Sequence, residues 1–366
     1  LTDPRIEKMA AVLAEYSLAL RPGDRCLLQF EPAALPLIEA VYRRALERGA
    51  HPSTATIHEG LEAVLLRHGS DEQLDHISEL DRLEVEHIDA RLHVRAPVRA
   101  RALAGIPPER IARRRRGRRP LFERFMERKA RGELRSTLTQ YPTAAAARLA
   151  GMALAEYADF VFRACFIDRP DPVAAWRELS AGQQRYADRL AGVSELQFEA
   201  DGTDLRLSVA GRRWTNSDGR ANFPSGEVFT GPVEDSAEGH IRFDIPTCYL
   251  GRRVADIELE FRAGRVESFS AARGGKLLRA QLDIDEGARR LGEVAFGLNY
   301  GIDRPTANIL FDEKIGGTIH LALGAGYPDT GSRNRSAIHW DMIRTMNPGR
   351  VRADGRVIYE DGRFTI

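Results

Sequence analysis

Cysteine is scarce in this 366-residue chain. Cys26, Cys165 and Cys248 are far apart and odd in number, which excludes a disulfide framework and a zinc site built on thiolates. That usage fits a reducing compartment. No run of about 18 apolar residues occurs, so no membrane-spanning helix and no membrane partner are expected. The opening LTDPRIEKMA is polar, with no apolar stretch behind a positive charge, so no signal peptide is visible and a cytoplasmic protein is expected. One-sided charge is also missing. The 54 Lys+Arg against 53 Asp+Glu leave +1, which argues against a whole-protein field built to attract nucleic acid. No Gly-x-Gly-x-x-Gly follows a strand, so a dinucleotide role has no support.

What is present describes an ordinary globular protein. At 43% hydrophobic and 29% charged residues, the chain can bury enough surface to offset its ordering entropy. Its length suggests two domains. Ile6–Leu18 reads as an amphipathic helix, Arg25–Phe30 as a buried strand after the turn at Arg21–Asp24, Ala34–Glu47 as a helix stopped by Gly49, and Ser53–Ile57 as a strand. Strand, helix, strand is the pattern of a parallel crossover unit. From about residue 195 the pattern changes to short alternating runs, Glu195–Glu199, Asp204–Val209, Ala255–Arg262 and Arg265–Ala272. Turns such as Asp201-Gly202 and Ala263-Gly264 punctuate them, as in hairpins. A helix fits Leu277–Leu291. The expectation is an α/β fold: an N-terminal α/β domain over 1–185 with a mainly parallel sheet, and a C-terminal α+β domain over 186–366.

Seven of the ten residues 110–119 are arginine. The run lacks the interleaved aromatics that stack on bases, and the acidic stretch from Asp71 to Asp89 balances it. It therefore reads as a solvated helix face, with no nucleic-acid partner. The six histidines before residue 94 (His51, His58, His68, His76, His87 and His93) read as exposed or locally satisfied.

Chemistry concentrates in four later segments. In Ser336–Ile343 (SAIHWDMI), strand alternation projects His339 and Asp341 together, opposite Ile338, Trp340 and Met342. Such a pair could chelate a divalent cation or simply hydrogen-bond at a half-exposed surface. In Gly317–Gly324 (GTIHLALG), His320 shares a face with Thr318 and Ala322, which suits a metal ligand and a packed core histidine equally. Glu227 enters an apolar run after a Ser-Gly turn, and Glu293 follows Gly292 near the end of a helical pattern. A carboxylate among apolar neighbours is costly to bury unless it is paired or holds a cation. Each residue alone has an ordinary explanation. Together, Glu227, Glu293, His320, His339 and Asp341 form an oxygen–nitrogen set that suits catalytic Zn, Co or Mn, and five such ligands can hold two ions if one carboxylate bridges.

The order Asn222–Thr230 (NFPSGEVFT), Leu291–Glu293 (LGE), Phe311–Lys314 (FDEK), Thr318–Tyr327 (TIHLALGAGY) and Ile338–Asp341 (IHWD) resembles the thermophilic metalloaminopeptidase family of the aminopeptidase T, AmpS and PepS type. Glu15–Asp24 (EYSLALRPGD), Tyr141–Thr143 (YPT) and Gly151–Phe160 (GMALAEYADF) extend the likeness to the first domain. The resemblance implies an α/β first domain and a second domain with a dinuclear metal site whose ligands are Glu227, Glu293, His320, His339 and Asp341. It makes Tyr327 the active-site tyrosine and implies a homodimer acting on peptide substrates. The chain is shorter than members of that family. Its His320–His339 loop is compressed and its Glu313–His320 spacing longer, so specificity does not carry over.

On this resemblance the expected activity is removal of N-terminal residues from peptides by a metal-bridged hydroxide. Tyr327 would donate to the oxyanion, and Glu313 would carry the proton to the leaving amine. Two other functions fit parts of the sequence. His339, Asp341 and one further ligand could hold a single Fe(II) for ring-opening oxygen chemistry, although a mononuclear site needs fewer carboxylates. Alternatively, the Arg110–Arg119 run could dock an acidic partner.

Overall fold

A computed structural model describes residues 3–99, 105–249 and 251–366. The chain divides into two compact units, one of residues 1–174 with 219–223, the other of 175–218 with 224–366.

The first unit is built on a five-stranded parallel sheet in the order His51–Thr56, Arg25–Phe30, Ala90–Arg95, Arg135–Gln140, Asn222–Phe223. The expected strand–helix–strand unit is there: Arg25–Phe30, the helix Leu35–Glu47, then His51–Thr56. Gly49, at φ +74°, ends that helix as a left-handed cap. The first helix runs from Pro4 to Val12 and passes into a π-helical turn over Leu13–Ser17. The central strand Ala90–Arg95 alternates: Ala90, Leu92 and Val94 are fully enclosed, whereas Arg91 and His93 are half-buried and Arg95 is exposed.

The arginine run lies on the Pro108–Gly117 helix and the start of the Arg119–Ala130 helix. Arg113 pairs with Asp71 and Asp75, Arg118 with Asp81, and Arg114 donates to the carbonyls of Leu74 and His76. The acidic helices opposite are thus its partners, as the sequence suggests. Pairs this exposed contribute about 0–1 kcal/mol each.

The second unit is a sandwich of two antiparallel sheets. The larger has nine strands, with the hairpins Glu195–Ala200/Thr203–Ser208 and Arg252–Arg262/Arg265–Arg273 at the predicted places. Ala263 and Gly264 both have positive φ, the conformation a two-residue hairpin turn requires. The smaller sheet has five strands in the order His339–Thr345, Thr318–Gly324, Leu291–Gly297, Glu227–Thr230, Thr215–Ser217. Val228, Val294, Phe296, Ile319, Leu321, Leu323, Trp340 and Met342 belong to one core with Leu196, Phe198, Leu205, Ile257 and Leu259 of the larger sheet. Trp340 is pinned by a ring stack on Tyr249 and by Nε1 donating to Thr247 Oγ1 at 3.3 Å.

One expected element differs. The helix predicted over Leu277–Leu291 ends at Leu282. Asp285 then caps a single 3-10 turn, accepting from Ala288 N–H, and also receives Ser336 Oγ–H and Ala337 N–H. Leu291–Gly297 is a strand enclosed on both faces. Glu293 therefore sits inside a strand and not near a helix end. A short fully buried strand is a continuous apolar run, which periodicity alone does not separate from helix.

His93, on the central parallel strand, is not simply exposed. Burial, with Arg91 and Arg95 beside it, pushes its imidazole down to about 4. Between its ordinary pKa and that value the unfolded chain takes up a proton that the folded chain refuses, so stability is lost as pH falls through that window. The thermal midpoint of His93→Gln should fall less than the parent's between pH ~7 and ~4.5; equal falls would exclude His93 as the cause.

Candidate metal centre

Strand register decides which side chains meet. Opposite residues of an antiparallel pair share a face, and so do residues i and i+2. Gly297 pairs with Glu227 and with Thr318, Ala295 with His320, Ala322 with both Glu293 and Asp341, and Gly324 with His339. Glu227, Glu293, His320, His339 and Asp341 therefore project from one face of the smaller sheet, opposite its core face. The residues between them are Ala295, Gly297, Ala322 and Gly324, which leave room above the sheet.

Glu293 reaches this face through a bulge. Leu291 pairs with Leu323 on the core side, yet Glu293, two residues on, pairs with Ala322 on the other side. Gly292 is the extra residue. A Cβ there would stand 2.4 Å from Gly324 O and 2.5 Å from Ala325 O, so only glycine fits. Without the bulge, alternation from Leu291 would turn Glu293 into the core.

The donor atoms form two triads among the described residues, Glu227/Glu293/His320 and Glu293/His339/Asp341, each within 4.8 Å. Glu293 belongs to both. Its Oε1 lies 3.1 Å from His320 Nε2 and its Oε2 3.6 Å from His339 Nε2. Glu227 Oε2 is 3.7 Å from His320 Nε2, and Asp341 Oδ1 is 3.3 Å from His339 Nε2. Both imidazoles are oriented from behind: His320 Nδ1 is 2.9 Å from the Glu313 carbonyl and His339 Nδ1 2.7 Å from the Ala325 carbonyl. A carbonyl only accepts, so each Nδ1 carries the proton and each Nε2 faces carboxylate oxygens. Such a meeting of acceptors needs a proton or a metal ion between them.

The electrostatics carry the same demand. Glu227, Glu293 and Glu313 are pushed above the ordinary carboxylate range, by burial first and then by neighbouring carboxylates, against the pull of Lys314 or His320. Burial also opposes ionisation of Asp341, but His339 and His320 hold it at about 2. Burial opposes charge on the imidazoles too. Even so, Glu293 and its acidic neighbours lift His320 to about 9, and Asp341 with Glu293 lifts His339 to about 10. Glu227 Oε2 is buried with no hydrogen-bond partner. An orphaned carboxylate oxygen beside an imidazole lone pair fits a cation ligand.

Tyr327 and Glu313 stand beside the triads and join neither. The Tyr327 ring meets His339 edge-on at 5.3 Å and Phe229 at 5.4 Å, and 42% of the residue stays exposed. Burial of its phenolic oxygen and the surrounding carboxylates hold the hydroxyl well above its ordinary pKa, so it is a donor at neutral pH. The Glu313 carboxylate contacts Lys314 Nζ, which is fully buried and lies 3.6 Å from Glu227 Oε1. Sequence reasoning quoted Lys314 within FDEK and gave it no role. The available signal was a lysine directly after two acids between apolar neighbours, where burial forces pairing. Phe229, two residues from Glu227 and on its face, was also passed over.

A buried face of carboxylates and imidazoles is a donor set of the kind that holds divalent ions. The chain belongs to the family described as thermophilic metalloprotease (M29), which matches residues 2–364. It is 29% identical to aminopeptidase 2 of Geobacillus stearothermophilus over 96% of this chain and 91% of that protein. It is 28% identical to aminopeptidase T of Thermus aquaticus over 98% and 95% respectively. The solved wild-type AmpT from Thermus thermophilus superposes with a TM-score of 0.86 at 25% identity, covering 99% of each chain. In class the protein is a metalloaminopeptidase, a hydrolase of the exopeptidase kind. A 2,5-dihydroxypyridine dioxygenase from Pseudomonas putida KT2440 shares the fold, at TM-score 0.59 and 12% identity over 100% and 98% of the chains. That likeness concerns fold alone and lends the ring-opening alternative no weight.

Gly292→Ala should destabilise the second unit by about 1–3 kcal/mol, since its methyl group meets backbone that cannot retreat. The check is the denaturation midpoint beside a control such as Gly211→Ala, where a Cβ meets nothing within 4 Å although φ is +71°. A Gly292→Ala loss no larger than the control's would mean that the bulge tolerates a side chain.

Proposed function

We propose that this protein removes the N-terminal residue from peptides, with two divalent ions, Zn, Co or Mn, held by Glu227, Glu293, His320, His339 and Asp341. The observation that carries the proposal is Glu293, whose two carboxylate oxygens each face a different histidine in a different triad. When bound, such ions polarise a carbonyl and lower the pKa of a shared water.

The chain's own residues then have distinct tasks. Glu293 would serve both sites, with Glu227 and His320 as the other residues that would hold one ion and His339 and Asp341 those that would hold the other. Backbone carbonyls of Glu313 and Ala325 hold the imidazoles in the ligating tautomer. Glu313, the candidate general base, takes the proton of the attacking water and passes it to the leaving amine. The Tyr327 hydroxyl donates to the developing oxyanion. The acidic groups of this face would meet the substrate's free α-amine, which would restrict cleavage to chain ends. A single-iron site at His339, Asp341 and Glu293 would leave Glu227 and His320 outside the ligand set.

A cytoplasmic location and a homodimer belong to the same proposal. Cys26 and Cys165 are buried, and no helix among the described residues is long and apolar enough to cross a membrane. The dimer rests on the family resemblance and is tested by sedimentation.

The parent should bind about two ions per chain, Asp341→Ala about one, and Glu293→Ala fewer than Asp341→Ala, since Glu293 serves both triads. Elemental analysis after dialysis reads this directly, and equal losses in the two variants would refute the bridging role. His339→Ala should abolish hydrolysis of aminoacyl-anilides, and N-acetylated anilides should resist even the parent; full activity in His339→Ala would sink the assignment.

Tyr327→Phe should lower kcat by roughly 10²–10³ with little change in KM, the usual effect of removing one oxyanion donor. An unchanged kcat would leave Tyr327 as a packing residue.

A further inference from the structure

Lys314 has no exposed surface, and its ammonium meets two carboxylates, Glu313 in direct contact and Glu227 at 3.6 Å. Burying an ammonium costs several kcal/mol unless it is well paired. A protonated ammonium has three donors and no lone pair, so Lys314 cannot itself bind a cation.

Its partners divide in a telling way. Glu227 keeps Oε2 free of hydrogen bonds and aimed at the first triad, while its Oε1 faces Lys314. The Glu313 carboxylate is buried within electrostatic reach of Asp341 and His320, yet it joins neither triad. A further carboxylate at such a place, without a counter-charge, would bind the ions as readily as its neighbours. The backbone explains why Lys314 points inward. Asn308 caps the Ile309–Asp312 helical turn, and Asp312 accepts from the N–H and the hydroxyl of Thr306. The Lys314 carbonyl then accepts from Asn299 N–H.

Resting on the two-ion assignment above, we propose that Lys314 is a positioning residue that holds the Glu313 carboxylate out of the ion-binding set, keeping it free to carry protons. The same contact occupies one oxygen of Glu227 and leaves the other for the ion. Lys314 thereby sorts chemically equivalent carboxylates into ligands and a base.

The test compares the parent, Lys314→Met, Glu313→Gln and the double variant as full chains loaded with Co(II). Ion affinity is read by chelator competition, coordination by the visible Co(II) absorption, and activity separately. In Lys314→Met, Glu313 should enter the coordination sphere. Ion affinity then rises roughly tenfold, in the range that groups around a metal site control. The visible band weakens as coordination number increases, and kcat falls about a hundredfold with little change in KM. Adding Glu313→Gln should return affinity and spectrum to the parent's while activity stays low. A buried ion pair with a merely structural role predicts the opposite, weaker ion binding in Lys314→Met and no restoration by the second substitution. Unchanged or weaker binding in a folded Lys314→Met protein would overturn the proposal. If that variant fails to fold, Glu313→Gln alone decides: retention of both ions with about a hundredfold loss of kcat supports it, and loss of an ion refutes it. A parent that binds no ion removes the two-ion assignment itself, a result distinct from any difference among the variants.

Discussion

Four carboxylates crowded onto one buried region are the constraint to which the rest of the second unit answers. Glu227, Glu293, Glu313 and Asp341 are each largely removed from water, and each raises the cost of charging the others. Lys314 supplies one fixed positive charge. The remaining excess falls on Nε2 of His320 and His339, whose raised pKa values express the demand for cations in the form of protons. Protons and metal ions compete for the same lone pairs, so a face that lifts two imidazoles this far is also one that attracts divalent ions. The charge excess is the electrostatic consequence of the two-triad geometry.

The sheet makes this crowding possible because its faces do opposite work. The core face, from Val228 across to Met342, packs on the larger sheet and fixes strand register through shape and apolar area. The other face inherits its alignment from that register. Ala295, Gly297, Ala322 and Gly324 would be weak choices for strand stability, yet they leave the space that coordination needs. The energy for holding repelling acids together therefore comes from the hydrophobic side of the same strands.

How much of this was legible follows from the local rule at each position. His339 and Asp341 obey simple two-residue alternation, and so does His320 with its small neighbours, so their shared faces follow from the sequence. Glu227 stands where a Ser-Gly turn enters a strand, a marked position. Glu293 was found as a candidate but put on the wrong element, because Leu291 and Glu293 are two apart and still face opposite ways. A bulge breaks the period that pattern reasoning depends on. Lys314 had no visible period and drew meaning only from two carboxylates brought near it by the fold. In the first unit the strand–helix–strand segment was readable from turn residues and periodicity. The arginine run was correctly set against its acidic neighbours. His93 lies on the half-buried face of its strand, and the pull of burial and of Arg91 and Arg95 on its imidazole depends on neighbours that the local pattern does not show.

Strand register also separates what can vary in this protein from what cannot. The ligand positions depend on cross-strand pairs, Ala322 with Glu293 and Asp341 and Gly324 with His339, and on the single bulge at Gly292. A one-residue slip of any of these strands would exchange a ligand for a core side chain, at a cost paid on both faces. The loop from Ala325 to Ile338 is under a different constraint. It is tied down by Asn334 to the Gly287 and Gly324 carbonyls and by Glu234 to Arg333 N–H, and it carries Tyr327 beside His339. A change of length there moves the surroundings of the two triads and leaves the pairing of their strands intact. The loop and the sheet are thus constrained separately, and the arrangement of Glu227, Glu293, His320, His339 and Asp341 is governed by the sheet.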